Sequence, residues 1–233
     1  MSLTNTSPTF VQTLLGNNMT HSARLIWITP EAEKTISYCA RVSNPANQEN
    51  YNTAPKLLAY CIKHGHWSVF EMASMCVEIT TTRSIAAQIL RHRSFSFQEF
   101  SQRYADTSQL GHGVMPHLRR QDLKNRQNSV DDLSPDLVSG YYRRISQLFE
   151  ESEHLYKELV SNGVAKECAR EILPLATPTR LYMNGSIRSW LHYCDLRAGN
   201  GTQREHAFIA AQVMDILYSE IPNVCAAMWS KES

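Results

Sequence analysis

Between Ala73 and Thr80 every second residue is apolar: Ala73, Met75, Val77 and Ile79, separated by Ser74, Cys76, Glu78 and Thr80. Strand side chains point alternately to the two faces, so this run predicts a half-buried β-strand. Helical patterns flank it on both sides. Upstream, Thr53-Ala54-Pro55 opens the run KLLAYCIKH, which Gly65 closes. Proline suits a first helical turn and glycine the position after the last one. Downstream, Thr81 or Thr82 caps RSIAAQILRHR, with Ile85, Ile89 and Leu90 on its inner face.

Other elements follow from the same rules. Thr29-Pro30 with Glu31 and Glu33 predicts a helix running to about Val42, which Asn44-Pro45 ends. Phe95 and Phe97 alternate with Ser94, Ser96 and Gln98, an extended segment directly after Arg93. Residues 105–133 are polar and read as a long surface excursion. Ser134-Pro135-Asp136 starts the longest helix, with Val138, Tyr141, Ile145, Leu148, Leu155 and Leu159 on one stripe, and Asn162-Gly163 ends it. The heptads are too few for a coiled coil, so the stripe is expected in the core. A short helix, AKECAREI, stops before Pro174, and two more span Ser186 to Ala198 and Thr202 to Glu220 around Gly199-Asn200-Gly201. Mostly helix with a few strands predicts an α+β fold. Without a linker or repeat, residues 1–233 read as one domain.

Composition narrows the function classes. Hydrophobic residues make up 42% and charged residues 19%, ordinary for a globular protein. Lys+Arg total 23 against 22 Asp+Glu, so the net charge of +1 argues against disorder and against nucleic-acid binding by bulk charge. No apolar run approaches a membrane span, and MSLTNTSPTFVQTLL lacks the pattern of a secretory signal. The expectation is a cytoplasmic protein with no membrane partner. Six widely spaced cysteines contain no CxxC pair and suggest free thiols rather than a metal site. Neither GxGxxG nor GxxxxGK[ST] occurs; Gly111-His112-Gly113 is the nearest approach, with Pro116 in place of the third glycine. That argues against a Rossmann unit or a Walker-type loop.

The chemistry concentrates in residues 91–104, RHRSFSFQEFSQRY. One reading is a solvated helix end carrying an Arg–Glu pair. Yet Arg91 and Arg93, two apart, would face different sides of a helix, which suits two anionic groups better than one salt bridge. Guanidinium forks favour phosphate. Hydroxyls of Ser96 and Ser101 and the amides of Gln88 and Gln98 suit a nucleotide-like ligand. A second cluster holds Arg170, Arg188, Arg197 and Arg204 with Gln203 and Glu205. Arg188 and His192 share a helix face, although such a cluster is equally compatible with surface charge. His66, alone at a helix-to-strand turn, is more often structural than catalytic.

RHRxxSxxxxSxR, here Arg91 to Arg103, resembles the signature of flavin-dependent thymidylate synthases. The likeness extends through Cys39-Ala40-Arg41-Val42-Ser43, His66-Trp67-Ser68-Val69-Phe70-Glu71, Ala169-Arg170-Glu171-Ile172-Leu173-Pro174, Arg188-Ser189-Trp190 and Leu196-Arg197, and closes with Thr202-Gln203-Arg204-Glu205-His206. The resemblance implies a small antiparallel β-sheet with surrounding helices, the thymidylate synthase-complementing fold, with no Rossmann unit. It implies a methyltransferase that converts dUMP to dTMP, with FAD bound and with 5,10-methylenetetrahydrofolate and NADPH as co-substrates. It further implies a homotetramer with active sites at subunit interfaces.

By position, the resemblance assigns Gln88, Arg91, Glu99, Phe100, Ser101, Gln102, Arg103, Arg170 and Arg197 to dUMP, with Arg103 and Arg170 at its phosphate. Arg197 is the implied catalytic residue, stabilising charge at the pyrimidine edge when N3 loses its proton. Ser43, His66, Ser68, Arg91, His92, Arg93, Glu99, Ser186, Ile187, Arg188 and His192 are assigned to FAD. No metal and no enzyme nucleophile are implied. This chain departs from the family pattern at four places. Many relatives carry asparagine at the positions of His192 and Ser186, some carry histidine at Gly201, and some an aliphatic residue at His206.

Two other classes compete. One is a non-catalytic nucleotide- or RNA-binding module using the same arginines, which the near-zero charge disfavours. The other is a nucleotide phosphohydrolase, which needs clustered carboxylates for Mg²⁺. Asp131-Asp132 and Glu150-Glu151 read as solvated faces instead.

Overall fold

The computed structural model describes residues 21–199 and 201–229. The reading of MSLTNTSPTFVQTLL and the turn position of Asn200 lie outside the described residues. Four strands, β1 (Ser22–Ile28), β2 (Ser74–Thr82), β3 (Ser96–Glu99) and β6 (Pro178–Ser186), form an antiparallel sheet in the order β1-β2-β6-β3. A two-residue pair, β4 (Arg120–Gln121) and β5 (Ser129–Val130), lies apart from it. The helices are α1 (Ala32–Ala40), α2 (Ala54–Lys63), α3 (Arg83–Ile89), α4 (Pro135–Ser161), α5 (Lys166–Ala169), α6 (Ile187–Arg197), α7 (Arg204–Glu220) and α8 (Pro222–Trp229).

Alternation in β2 works as expected: Met75, Val77 and Ile79 are fully buried, opposite Gly185, Met183 and Leu181 of β6. Helices α2, α6 and α7 close over this face with Leu58, Trp190, Leu191, Ile209 and Val213. Trp190 fixes α6 to the sheet, its Nε1 donating to the Met75 carbonyl at 2.9 Å. Pro178 opens β6, where a strand loses least by lacking a donor. At the other end, a Cβ on Gly185 would lie 2.5 Å from Cδ1 of Phe95, so only glycine lets that ring seat on the strand. Phe95 then meets Trp190 edge-on, ring centroids 4.7 Å apart.

Several expectations need correction. Helix α1 begins at Ala32, two residues beyond Pro30, after Glu31 adopts a left-handed conformation with φ 49°. Helix α3 ends at Ile89 rather than Arg93, so Arg91, His92 and Arg93 occupy a turn. The chain must leave the helix early because Ser96 already pairs with Asn184 of β6. The two arginines are therefore not separated by helical geometry. Helix α7 begins at Arg204, not Thr202, with Gln203 at its N-cap.

The stripe on α4 does not reach the core. Tyr141, Leu148 and Leu155 are 47%, 62% and 40% exposed, and Tyr156 is the buried residue of this helix. The helix packs on α5 and the turn after it, outside the sheet, and so has no core face to fill. Residues 105–133, expected as a surface excursion, are anchored at several points, among them His112 on Glu153 of α4 and Asp131 on Arg204 of α7. Val114 N–H donates to the Ala176 carbonyl at 2.9 Å. The backbone of Gly113 lies on the Phe149 ring of α4, where a Cβ would come within 2.6 Å. The Arg119 side chain is 8% exposed and forks onto Glu205 of α7.

Candidate active site

A cleft of about 220 Å³ opens beside β6, lined by Arg83, Gln102, Arg170, Glu171, Leu175 and Thr177 among others. Gln102 is buried there, and its Nε2 has no hydrogen-bond partner. Nε of Arg170 is likewise buried without a hydrogen bond; its nearest carboxylate, Glu171, stands 3.6 Å away. An unmade buried donor costs about 1–3 kcal/mol, and both of these belong to residues that line one cleft. On the cleft wall, Arg83 Nη1 donates to Glu99 Oε1 at 2.6 Å, and Thr179 Oγ1 donates to the same oxygen at 2.9 Å. Both contacts fall on Oε1 of Glu99.

A second group surrounds Arg197, the last residue of α6. Its Nε donates to Nε2 of His92 at 3.0 Å. The His92 ring also meets Tyr193 and His206, centroids 5.1 and 6.2 Å away. Burial, and then the charges of Arg197, His192 and Arg91, push His92 down to about 4. His206 is pushed down to about 3 by burial, then by Arg197, His92 and Arg91. Both rings therefore stay neutral near pH 7, and the positive charge rests on the arginines. His206 Nδ1 lies 3.4 Å from Gln88 Oε1, and Gln88 Nε2 donates to Gln203 Oε1 at 2.7 Å. The buried Nε2 of His206 and Oη of Tyr193 have no partner.

A third feature is a groove of about 510 Å³ lined by Trp67, Glu71, Ser94, Arg188, His192 and Met228 among others. It combines an indole, a thioether, hydroxyls and the Arg188 guanidinium, which bonds Glu71 across its width. Its volume and mixed lining are those of a cofactor pocket.

The structure thus brings Gln102 and Arg170 into one cleft, links Gln88 with the Arg197–His92 group, and puts Arg188 and His192 in the groove. Other residues named from the sequence line neither cleft nor groove. Arg103 is exposed and paired with Glu167 at 3.1 Å. His66 is exposed beside Tyr60 and His64. Arg91, Arg93, Ser43 and Ser68 are exposed, while Phe100 and Ser101 are half-buried in the chain leaving β3. Ser186 caps α6, accepting from the Ser189 N–H, and Ile187 is fully buried in the core. Sequence reasoning missed Arg83, Thr177 and Asp195, the last of these in the groove. Arg83 looked like the start of an ordinary helix, and only its contact with Glu99 across 16 positions reveals it.

The described residues thus form an antiparallel sheet wrapped by helices, with one cleft lined by Arg83 and Arg170 and a separate groove lined by Trp67 and Arg188, and no Rossmann unit occurs among them. The profile of the family described as thymidylate synthase complementing protein matches residues 24–223. A probable flavin-dependent thymidylate synthase of Paramecium bursaria Chlorella virus 1 is 50% identical over 215 residues, covering 89% of this chain and 98% of the relative. The flavin-dependent thymidylate synthase of Synechocystis sp. (strain PCC 6803) is 53% identical over 196 residues, 84% and 89% of the two chains. The same fold occurs in a UMP/dUMP methylase, PolB, from Streptomyces cacaoi: TM-score 0.77, 24% identity, 89% of this chain and 93% of that one. The chain belongs to the flavin-dependent thymidylate synthase family. It is an enzyme with a flavin cofactor, not a non-catalytic module.

Proposed function

We propose that this chain methylates dUMP to dTMP, with FAD as cofactor, 5,10-methylenetetrahydrofolate as carbon donor and NADPH as reductant. The observation that carries the reading is the pair of unpartnered buried donors, Gln102 Nε2 and Arg170 Nε, in one cleft. They suit the phosphate of dUMP, with Arg103 and Ser101 at its approach. Arg83 and Thr179 hold Glu99, whose carboxylate can accept from a sugar hydroxyl. Arg197, anchored on neutral His92, suits the pyrimidine edge, where it stabilises the charge that develops as N3 loses its proton.

The groove fits FAD by its chemistry: Trp67 and Met228 for ring surface, Arg188 for the diphosphate, His192, Ser94 and Ser189 for polar edges. FAD, when bound, supplies hydride transfer that no side chain can provide. Ile187 is fully buried with its N–H donating to the Ala73 carbonyl, and the Ser186 hydroxyl already caps α6. His66 and Ser68 flank the groove residue Trp67 without lining the groove, and Ser43 does not line it either, which suits a site completed by a neighbouring subunit. The exposed apolar residues of the α4 stripe suit a contact between subunits, as the homotetramer of this reading needs. No thiol suits a nucleophile in the buried positions: burial raises Cys61, Cys76, Cys194 and Cys225 above the usual thiol range, Cys225 to about 12. The six cysteines are free, as in a reducing cytoplasm.

The test is NADPH oxidation by the purified, flavin-loaded protein with and without dUMP and the folate, the product identified by chromatography. Formation of dTMP only in the complete mixture is expected. Flavin-loaded protein that makes no dTMP overturns the reading.

A further inference from the structure

We infer that Arg119 and Glu205 are positioning residues of the site: acting through Gln203, they fix which way the Gln88 amide faces. The inference rests on the reading of Gln88 as a dUMP contact. It assigns a role to residues 105–133, which the proposed chemistry leaves unused.

Glu205 is buried, and Arg119 grips it with both terminal nitrogens, Nη1 to Oε1 at 2.7 Å and Nη2 to Oε2 at 3.0 Å. Nε of Arg119 is held in turn by Ser129 Oγ at 2.9 Å. Burial acts to raise the Glu205 pKa, but its hydrogen bonds, those from Arg119 and Gln203 among them, leave it below the usual value. An ionised carboxylate only accepts. Gln203 must therefore turn its amide nitrogen to Glu205, which leaves its Oε1 facing Gln88. Oε1 only accepts, so Gln88 must present Nε2, and does so at 2.7 Å. The Gln88 Oε1 is then directed at His206 Nδ1, 3.4 Å away.

Each amide has one accepting and one donating end, so a single fixed acceptor at Glu205 sets every link after it. Gln88 cannot flip without placing two oxygens or two N–H groups face to face. The relay thus presents a defined donor and acceptor edge toward a pyrimidine, whose own edge has a fixed order of donors and acceptors. The anchor at its far end, Arg119, comes from a segment that touches neither cleft nor groove.

The experiment compares three variants by steady-state kinetics and flavin content. Gln203→Ala cuts the relay at an exposed position and spares the ion pair. Glu205→Gln keeps the shape and removes the obligate acceptor. Gln88→Ala removes the end point. Expected for Gln203→Ala is a rise in KM for dUMP of about tenfold, the size of one hydrogen bond, with kcat and bound flavin near the parent values. Glu205→Gln, where it folds, should show the same split. Parent KM in Gln203→Ala with a raised KM in Gln88→Ala overturns the relay alone. Parent KM in Gln88→Ala overturns the reading of Gln88, and the relay with it.

Discussion

Arg197 donates through Nε to Nε2 of His92 at 3.0 Å, so the cation at the end of α6 is seated on an imidazole that burial keeps neutral. The acceptor nitrogen must be Nε2, which places the ring proton on Nδ1. A guanidinium can keep this contact and still offer a planar fork; an ammonium has no such second edge.

Arg197→Ala should therefore abolish dTMP formation while flavin stays bound. Arg197→Lys should not rescue it, although charge is retained. Turnover assays and flavin absorbance on the same preparations decide the matter; a lysine variant near the parent rate would contradict it.

Acid should destabilise the fold through the half-buried ring of His92 and the buried ring of His206. The folded values of His92 and His206, about 4 and about 3, lie below the ordinary 6.5. Between pH 6.5 and those values the unfolded chain binds protons that the folded chain refuses, so stability is full above pH 6.5 and falls below it. Tm measured from pH 7.5 to 4.5 should decline below 6.5, and His206→Gln should flatten that decline. An unchanged slope in the variant would remove His206 from the account.

Gly185→Ala would force a methyl group to within 2.5 Å of the Phe95 ring. Displacing Phe95 disturbs both its Trp190 contact and the turn that carries Arg91 to Arg93. A loss of about 1–3 kcal/mol by denaturant unfolding is expected, the usual cost of overpacking. The double variant with Phe95→Leu should recover part of it.

Replacing all six cysteines by serine or alanine should leave dUMP methylation detectable in folded protein. Complete loss with normal flavin binding would instead point to a thiol nucleophile.

Leu148 is 62% exposed at the centre of the α4 stripe. Leu148→Glu should shift sedimentation toward smaller species and barely move the Tm of the dissociated subunit, since surface changes usually stay within about 0.5 kcal/mol. Unaltered sedimentation would place the assembly contacts elsewhere.

Strand β2 was legible because its alternation is uninterrupted from Ala73 to Ile79. Strand β6, its central partner, was not. Only Thr179, Leu181 and Met183 mark its inner face, and Asn184 and Gly185 are residue types that strands disfavour. Glycine there answers to the Phe95 ring, a contact 90 positions away that no local rule contains. The α4 stripe was seen correctly as apolar but misplaced, because periodicity tells which residues share a face and not what covers it. For the site, the motif picked out Gln102 and Arg170, which share the cleft, and Arg197, which meets His92. Arg83 and Arg119 escaped notice because each acts through a carboxylate distant in sequence, Glu99 and Glu205.

Gly113 lies flat on Phe149, and six positions later the same segment delivers Arg119 to α7. With no side chain to act as a spacer, that seam leaves little slack between the longest helix and the segment lying on it. Close-packed contacts transmit displacement rather than absorb it. A subunit leaning on α4 would therefore tug, through a few residues of chain, on Glu205 and on the Gln203 and Gln88 amides beyond it.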